Sequence, residues 1–352
     1  VRSRGLGDVY KRQMYTRDIY NVAQINMNEA EPTGVYNEQP DRIYWASKKY
    51  EYNDYTNGKN VVVKLSNGED KGYQYSFNAI LTKKYDFGFT GSIGYTYTMA
   101  KDLTANPGSA PNSAWQNNVA VNSLNDPGVS YSLFSTPHRI IANASYEINY
   151  AKCLKTTFSL FYSGYHTGRY SYTYYNDMNG DGNYSDLIYV PNSQDEMTFV
   201  DITDKSGAIT YSAVDQAKDF WDFVNNDSYL KDRKGKYVER NGSLTPWINR
   251  FDFKIAQDFY ATLGGRKYGI QVSLDMLNVG NMINSKWGAY QSCGLKSYDN
   301  VQLLKTASKV GEPLTYQINA NSREAFKERS SWQYTNTIGS AWSMQLGVKV
   351  TF

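Results

Sequence analysis

Apolar and polar residues alternate one by one along several stretches of this chain. The longest unbroken run closes the sequence: Trp342, Met344, Leu346, Val348, Val350 and Phe352 alternate with Ser343, Gln345, Gly347, Lys349 and Thr351. Side chains along a strand point to opposite faces in turn, so this pattern predicts a strand with one oily and one wet face. The same period recurs upstream. Tyr73 to Leu81 and Phe87 to Tyr97 predict a hairpin turning near Lys83 to Asp86. Ile140 to Ile148 and a long strand from Leu154 to Tyr174 predict a second, turning at Tyr150 to Cys153. Phe251 to Phe259 and Tyr268 to Met276 predict a third, turning at Leu263-Gly264-Gly265.

Between these hairpins the connections are long and polar. Met14 to Ile25 is a weak strand candidate that leads into a Tyr-rich loop reaching Gly72, within which Arg42 to Trp45 and Val61 to Leu65 are expected to pair. Ala100 to Pro137 is a second long loop, and Asn176 to Pro246 the largest. A structureless connection of that size is uncommon in a compact domain and marks a functional segment. Val214, Ala217, Trp221 and Val224 recur at helical spacing between Asp215 and Lys231, so part of it is expected to be helical. Trp287 to Gln291 is expected to descend as a further strand, and Val301 to Lys305 with Leu314 to Ile318 to form either one bulged strand or a hairpin above the sheet. Short connections fall on one side and long ones on the other. Charges such as Asp252, Lys254, Asp275 and Lys349 fall on the wet parity, and the oily parity of these strands carries none.

Composition narrows the class. The chain of 352 residues has no apolar run of the length a helical membrane span needs, and its mean hydropathy is -0.62. Yet 33 Tyr, 14 Phe and 7 Trp raise the aromatic share to 15%, as in barrels that carry aromatic girdles at both lipid interfaces. An all-β, antiparallel transmembrane β-barrel segment of about ten strands with long extracellular loops is therefore expected, ahead of a Tyr-rich soluble sandwich. A net charge of +3 carries no footprint of nucleic-acid binding. Cys153 and Cys293 form no disulfide framework and have no metal spacing. Val1 to Gln13 has no apolar core and reads as a translated adapter, so residues 1–13 are set aside as a non-native leader. Without a secretory leader, residues 14–352 read as a piece of a longer protein.

Four segments carry a family resemblance. Ser135-Thr136-Pro137-His138-Arg139, Tyr172-Thr173-Tyr174 running into Asn176-Asp177-Met178-Asn179-Gly180-Asp181-Gly182, Pro246-Trp247-Ile248-Asn249-Arg250-Phe251-Asp252, and Leu274-Asp275-Met276-Leu277-Asn278-Val279-Gly280-Asn281 resemble the C-terminal barrel part of TonB-dependent outer-membrane receptors of the SusC/Oar-like branch. Trp342, Met344, Leu346, Val348, Val350 and Phe352 resemble the C-terminal signal read by the barrel-assembly machinery. The resemblance implies a 22-stranded barrel in the outer membrane of a Gram-negative bacterium. It further implies a plug and TonB box that are missing here, coupling to the TonB complex through that missing part, a surface lipoprotein partner, and import of a glycan, peptide or chelate. The alternative is a complete small barrel acting as a porin or adhesin.

Candidate sites are few. Asp177, Asn179, Asp181 and Gly182 match the first half of the calcium-loop pattern, in which oxygen ligands alternate and glycine makes the sharp turn. Asn183 would add a main-chain carbonyl and Asp186 a further carboxylate, while the twelfth position, where the pattern has Glu, is Ile188. The competing reading is an Asx-rich turn. Trp115 and Trp221, deep in loops, are the candidates for stacking on a ligand; Tyr170, Tyr172 and Tyr174 are read as girdle or loop packing. His138 and His166 are the only histidines, and as rim residues they are expected to bond neighbouring loops rather than serve a hydrolase triad. Asp204, Asp227, Arg233 and Arg240 are read as solvated. No enzymatic activity and no obligatory cofactor are expected, a structural Ca2+ excepted.

Overall fold

In the computed structural model, the described residues are 7–52, 60–69, 71–105, 108–293, 296–297, 300–319, 325–326 and 332–352. They form an all-β protein organised on one long antiparallel sheet. Its strands follow chain order: β1 Asp8–Arg17, β2 Tyr73–Lys84, β3 Phe89–Asp102, β4 His138–Tyr150, β5 Leu154–His166, β6 Trp247–Leu263, β7 Arg266–Leu277 and β8 Ser343–Thr351. Each pairs antiparallel with its chain neighbours, and Ser130–Tyr131 adds a short piece beside the end of β3. No helix among the described residues is long and apolar enough to cross a membrane.

Local chemistry closes the three tight turns. Gly264 and Gly265 both take positive φ, as a two-residue hairpin between paired Leu263 and Arg266 requires. Gly88, also at positive φ, lies so near β4 that a Cβ there would sit 2.3 Å from the Glu147 carbonyl oxygen. Ala151 and Lys152 adopt positive φ without being glycine, which costs roughly 1 to 2 kcal/mol per residue. These turns share one rim with the end of β8. The four long connections, 18–72, 103–137, 167–246 and 278–342, leave from the other.

The two faces of the sheet differ in chemistry. Phe89, Tyr146, Phe158, Ile255, Leu274 and Leu346 are successive cross-strand neighbours, and their chain neighbours Thr90, Ser145, Ser159, Lys254, Asp275 and Gln345 form the adjacent row on the opposite face. On the polar face Lys254 Nζ lies 2.8 Å from Asp275 Oδ1 and Lys155 Nζ 3.4 Å from Asp258 Oδ2. Among the described residues no layer lies against the apolar face: Leu346 is 71% and Phe352 93% exposed. β1 breaks the apolar face, placing Lys11 and Gln13 beside Ala79 and Phe77, as do Thr156 beside Gln257 between β5 and β6 and Lys83 and Lys101 near the ends of β2 and β3. The residues Asp8 to Gln13, set aside as leader on sequence, thus extend β1. Edge pairing draws on backbone bonds, which do not discriminate among side chains. Residues 1–6 lie outside the described residues.

Among the described residues eight long strands and the short Ser130–Tyr131 piece make this sheet, where about ten spanning strands were expected, and β1 and β8 have no second neighbour, so it does not close on itself. Trp287 to Gln291 does not descend; Gln291–Ser292 pairs with Gln333–Tyr334 above the rim. Asn300–Thr306 and Thr315–Ile318 form a hairpin there too. Val301 to Leu304 are buried in succession rather than alternately, the pattern of a strand covered on both faces. The expected strand from Leu154 to Tyr174 is two, broken at Thr167-Gly168; Arg169–Tyr174 leaves the sheet and pairs with Asn300–Thr306 and Ser243–Leu244. Asn21–Asn26 pairs with Val63–Gly68, and Ile43–Tyr44 with Gly34–Val35, so the pairing expected between Arg42 to Trp45 and Val61 to Leu65 is absent.

The four long connections pack into a cap that holds the hydrophobic core of the molecule. Tyr172, Tyr174, Ile188, Val224, Leu304 and Ile318 are completely buried in it. The helix α1, Pro111–Gln116, carries Trp115 into a smaller cluster with Ala120 and Leu124. The helix α2, Ala213–Asn226, begins at Ser212, whose Oγ accepts the Asp215 N–H at 3.1 Å. Its buried stripe is Gln216, Phe220, Phe223 and Val224, while Val214 is exposed. The helix was expected, but its phase follows the two phenylalanines instead of Val214 and Ala217. Phe223→Ala is expected to destabilise the cap by about 3 to 5 kcal/mol. Hydrogen exchange would show it as faster exchange over 213–226 with β4 to β6 unchanged; uniform loss of protection would mean that cap and sheet unfold as one unit.

Candidate functional site

The cap strand Arg169–Tyr174 delivers the chain into the loop 177–186, where short polar side chains turn the backbone onto itself. Asp177 Oδ1 accepts the Gly180 N–H at 2.8 Å and its Oδ2 the Gly182 N–H at 2.9 Å. Asn179 Oδ1 accepts the Asp181 N–H at 3.0 Å, and Asp181 Oδ1 the Asn183 N–H at 2.7 Å. Gly180 and Gly182 take positive φ, and a Cβ on Gly180 would sit 2.5 Å from the Trp45 carbonyl oxygen. That glycine lets the first connection lie against the third, where Trp45 N–H donates to the Asn179 carbonyl at 2.7 Å. The structure therefore brings Asp177, Asn179, Asp181, Asn183 and Asp186 into one loop.

Arg42 holds this loop from the side. Its side chain is completely buried, lies 3.5 Å from Asp186 Oδ1, and donates to Gln39 Oε1 at 3.1 Å. It also donates to the carbonyls of Val121 and Leu187 and stacks over the Tyr237 ring at 4.8 Å. Asp186 Oδ2 accepts the Met178 N–H at 3.1 Å. Burial pushes the Asp186 carboxyl up to about 7, against the pull of Arg42, and burial followed by the charges of Asp186 and Asp177 raises Asp181 as well. Asp177 is raised by burial too, against hydrogen bonds from Gly182 and Gly180.

Beside the loop opens a cavity of about 720 Å³ whose lining includes Gln116, Asn117, Tyr175, Asn176, Asn183 and Tyr184. Tyr175 is 47% and Tyr184 65% exposed. Its lining has amides, hydroxyls and two open ring edges but no charged side chain, which suits a neutral ligand rich in hydrogen-bonding groups.

The remaining sequence candidates lie elsewhere. Trp115 is 1% exposed and donates from Nε1 to Asn125 Oδ1 at 3.0 Å, so the ring is loop core and offers a ligand no face. Trp221 is half-buried at the edge of the main cluster with Lys234 Nζ 4.5 Å from its ring; it neither joins Trp115 nor lines the cavity. His138 Nδ1 bonds Tyr95 Oη at 2.7 Å and His166 Nδ1 bonds the Thr245 carbonyl at 2.5 Å, contacts that tie the rim together. Cys153 lies in a short turn and Cys293 in the cap, and they form no disulfide. Met344, Leu346, Val348 and Val350 share the apolar face with Trp342 and Phe352 at its ends.

Two residues read as solvated are not. Arg240 is 3% exposed; it donates to the carbonyls of Leu103 and Asp102 at 2.6 and 2.5 Å, and burial pushes it down to about 10. Asp227 accepts from Tyr172 Oη at 2.8 Å and from two backbone N–H groups. Arg169 works as Arg240 does, donating to the Ser135 and Asn241 carbonyls at 3.1 Å each. These arginines close loops by meeting main-chain carbonyls that water cannot reach, and an arginine in a polar loop carries no local signal of that role.

Removing one partner of a buried pair strands the other. Arg42→Met is expected to destabilise the cap by about 3 to 5 kcal/mol, and Asp186→Asn in the same chain to recover part of it, read from denaturant melts. Asp186, raised when folded above its usual value of 3.8, favours the fold most when protonated. Without divalent ions, cap stability is therefore expected to fall as pH rises from about 4 to about 7; urea midpoints across that range check the sign.

Comparisons of the chain with protein-family models, curated proteins and solved structures gave no match.

Proposed function

We propose that this chain forms part of the wall of an outer-membrane β-barrel of the TonB-dependent receptor type, which imports a ligand into the periplasm. One observation carries the reading: an antiparallel meander with one predominantly apolar face across β2 to β8, against which no protein lies among the described residues. Exposed apolar surface on that scale needs an apolar partner, and lipid supplies one over the whole face. The polar rows would then line an aqueous lumen, the short turns face the periplasm, and the cap stand outside the cell. A barrel tolerates no free edge in hydrocarbon, so β1 and β8 need further strands on either side, in keeping with a wall larger than eight strands.

On this reading β8 and Phe352 engage the barrel-assembly machinery, energy comes from the TonB complex through a plug carried elsewhere, and a surface lipoprotein would meet the cap. The uncharged amide and tyrosine lining of the cap cavity favours a glycan or peptide over a charged chelate. Leu160 and Ser159 sit side by side on β5 with opposite facing. Leu160→Arg is expected to cost about 2 to 4 kcal/mol of insertion free energy and Ser159→Arg much less, measured as protease-protected insertion into lipid vesicles. Equal losses from the two variants would remove the lipid from the apolar face and the reading with it.

A further inference from the structure

We propose that a pocket where the sheet meets the cap binds the carboxylate of an organic acid through the guanidinium of Arg139. Three neighbours across the sheet make its floor: Thr96 on β3 pairs with Arg139 on β4, and Arg139 with Tyr165 on β5. They share the polar face, and Thr98 stands on the same side two residues nearer the cap. Phe134 and Thr136 of the second long connection and Tyr290 of the fourth make the walls of a cavity of about 560 Å³.

Arg139 is the group there that the protein leaves unused. Its side chain is exposed and lies 5.9 Å from the centre of the Tyr165 ring, and among the described residues it makes no hydrogen bond and no ion pair. Other arginines of the cap and rim are engaged. Arg42, Arg169 and Arg240 donate to carbonyls, and Arg250 Nε lies 3.2 Å from Asp252 Oδ1. Arg139 therefore offers a complete planar fork of N–H donors, which the two oxygens of a carboxylate match in shape and charge.

The lining narrows the ligand further. It has no Asp, Glu or Lys among the described residues, and His166, at its margin, bonds the Thr245 carbonyl through Nδ1. With Arg250 already balanced by Asp252, Arg139 supplies one positive charge, which a monoanion matches and a doubly charged phosphate exceeds. Phe134 is 77% exposed, so its ring is open to pack on an apolar body. Threonine and tyrosine hydroxyls fill the space between fork and ring. An acid with one carboxylate on an aromatic or aliphatic body fits all three features. Such a group occurs at the C-terminus of a peptide that ends in an apolar residue and in a free arylalkanoic acid.

The pocket shares no lining residue with the uncharged cavity beside 177–186, and its chemistry is the same whether or not the polar face lines a lumen. Insertion into lipid reads the apolar face and binding here reads the polar one, so either can fail without the other.

The test is calorimetric titration of the whole chain in nonionic detergent at about pH 8, where imidazole is neutral. The probes are 3-phenylpropionate and its amide, glycyl-glycyl-phenylalanine and its amide, and inorganic phosphate. Both free acids are expected to bind saturably, and both amides about tenfold more weakly or less. Tighter binding of the tripeptide than of 3-phenylpropionate would assign the site to a peptide terminus, and the reverse to a small acid. Arg139→Gln is expected to weaken the acids about tenfold or more and to leave the amides unchanged. Because Arg139 has no protein partner to strand, the urea midpoint of this variant should equal that of the wild type, which separates lost binding from lost folding. Phe134→Ala is expected to weaken acids and amides alike, by about threefold, and Lys349→Gln, which removes a charge from the polar face of β8, to change neither. Equal binding of acid and amide by the wild-type chain, or no saturable binding of either acid, would overturn the proposal. So would phosphate that binds more tightly than both acids, or an Arg139→Gln variant that binds the acids like the wild type.

Discussion

The arrangement of this molecule rests on how its long sheet satisfies its backbone. Each of β2 to β7 is bonded on both sides by strands adjacent in the chain, so the ladder needs no side-chain core to hold it. Three tight turns then fix the direction of every strand. With Gly88, Ala151 to Cys153 and Gly264-Gly265 all on one rim, every remaining connection must depart from the other. The cap is the necessary result of that bookkeeping of direction, because four long connections crowd over one end of one sheet.

The molecule thereby separates two tasks that a globular domain performs together. Its sheet supplies order without a core, and its cap supplies a core almost without regular order. Tyr172, Tyr174 and Leu304 are completely enclosed in the cap, while Leu346 on the sheet is open. Loops so packed carry many main-chain carbonyls out of reach of water, and Arg42, Arg169 and Arg240 answer them with guanidinium donors. A guanidinium offers five N–H groups on a long stem, which lets one side chain serve carbonyls from two or three connections at once.

How much of this could be read from the sequence depends on the range of the forces involved. β2 to β8 were legible because one face of each strand is apolar and the other polar, and period two survives in the residue string. Phe89, Phe158 and Leu346 each announce their face through their neighbours alone. The hairpin Asn300–Thr306 with Thr315–Ile318 was ambiguous, since burial on both faces erases the period in its first strand and only four alternating residues make the second. Trp115 was misplaced for a related reason: an aromatic in a polar loop looks the same whether it awaits a ligand or fills a cluster. The Asx pattern at Asp177 to Gly182 was legible as a local turn. The guanidinium that holds Asp186 was not, because Arg42 lies 144 residues away in sequence.

The side chain of Gln39 has a consequence for how the molecule comes to be folded. Its Nε2 lies 2.9 Å from the hydroxyls of both Tyr174 and Tyr316, across sequence separations of 135 and 277. Neighbouring strands of the sheet can find each other across a few residues of turn, whereas this junction needs the ends of three loops at once, and loop closure is slow in proportion to such distances. Gln39 therefore cannot complete its hydrogen bonds until residue 316 is in place, which makes this junction of the cap depend on contacts between three connections at once.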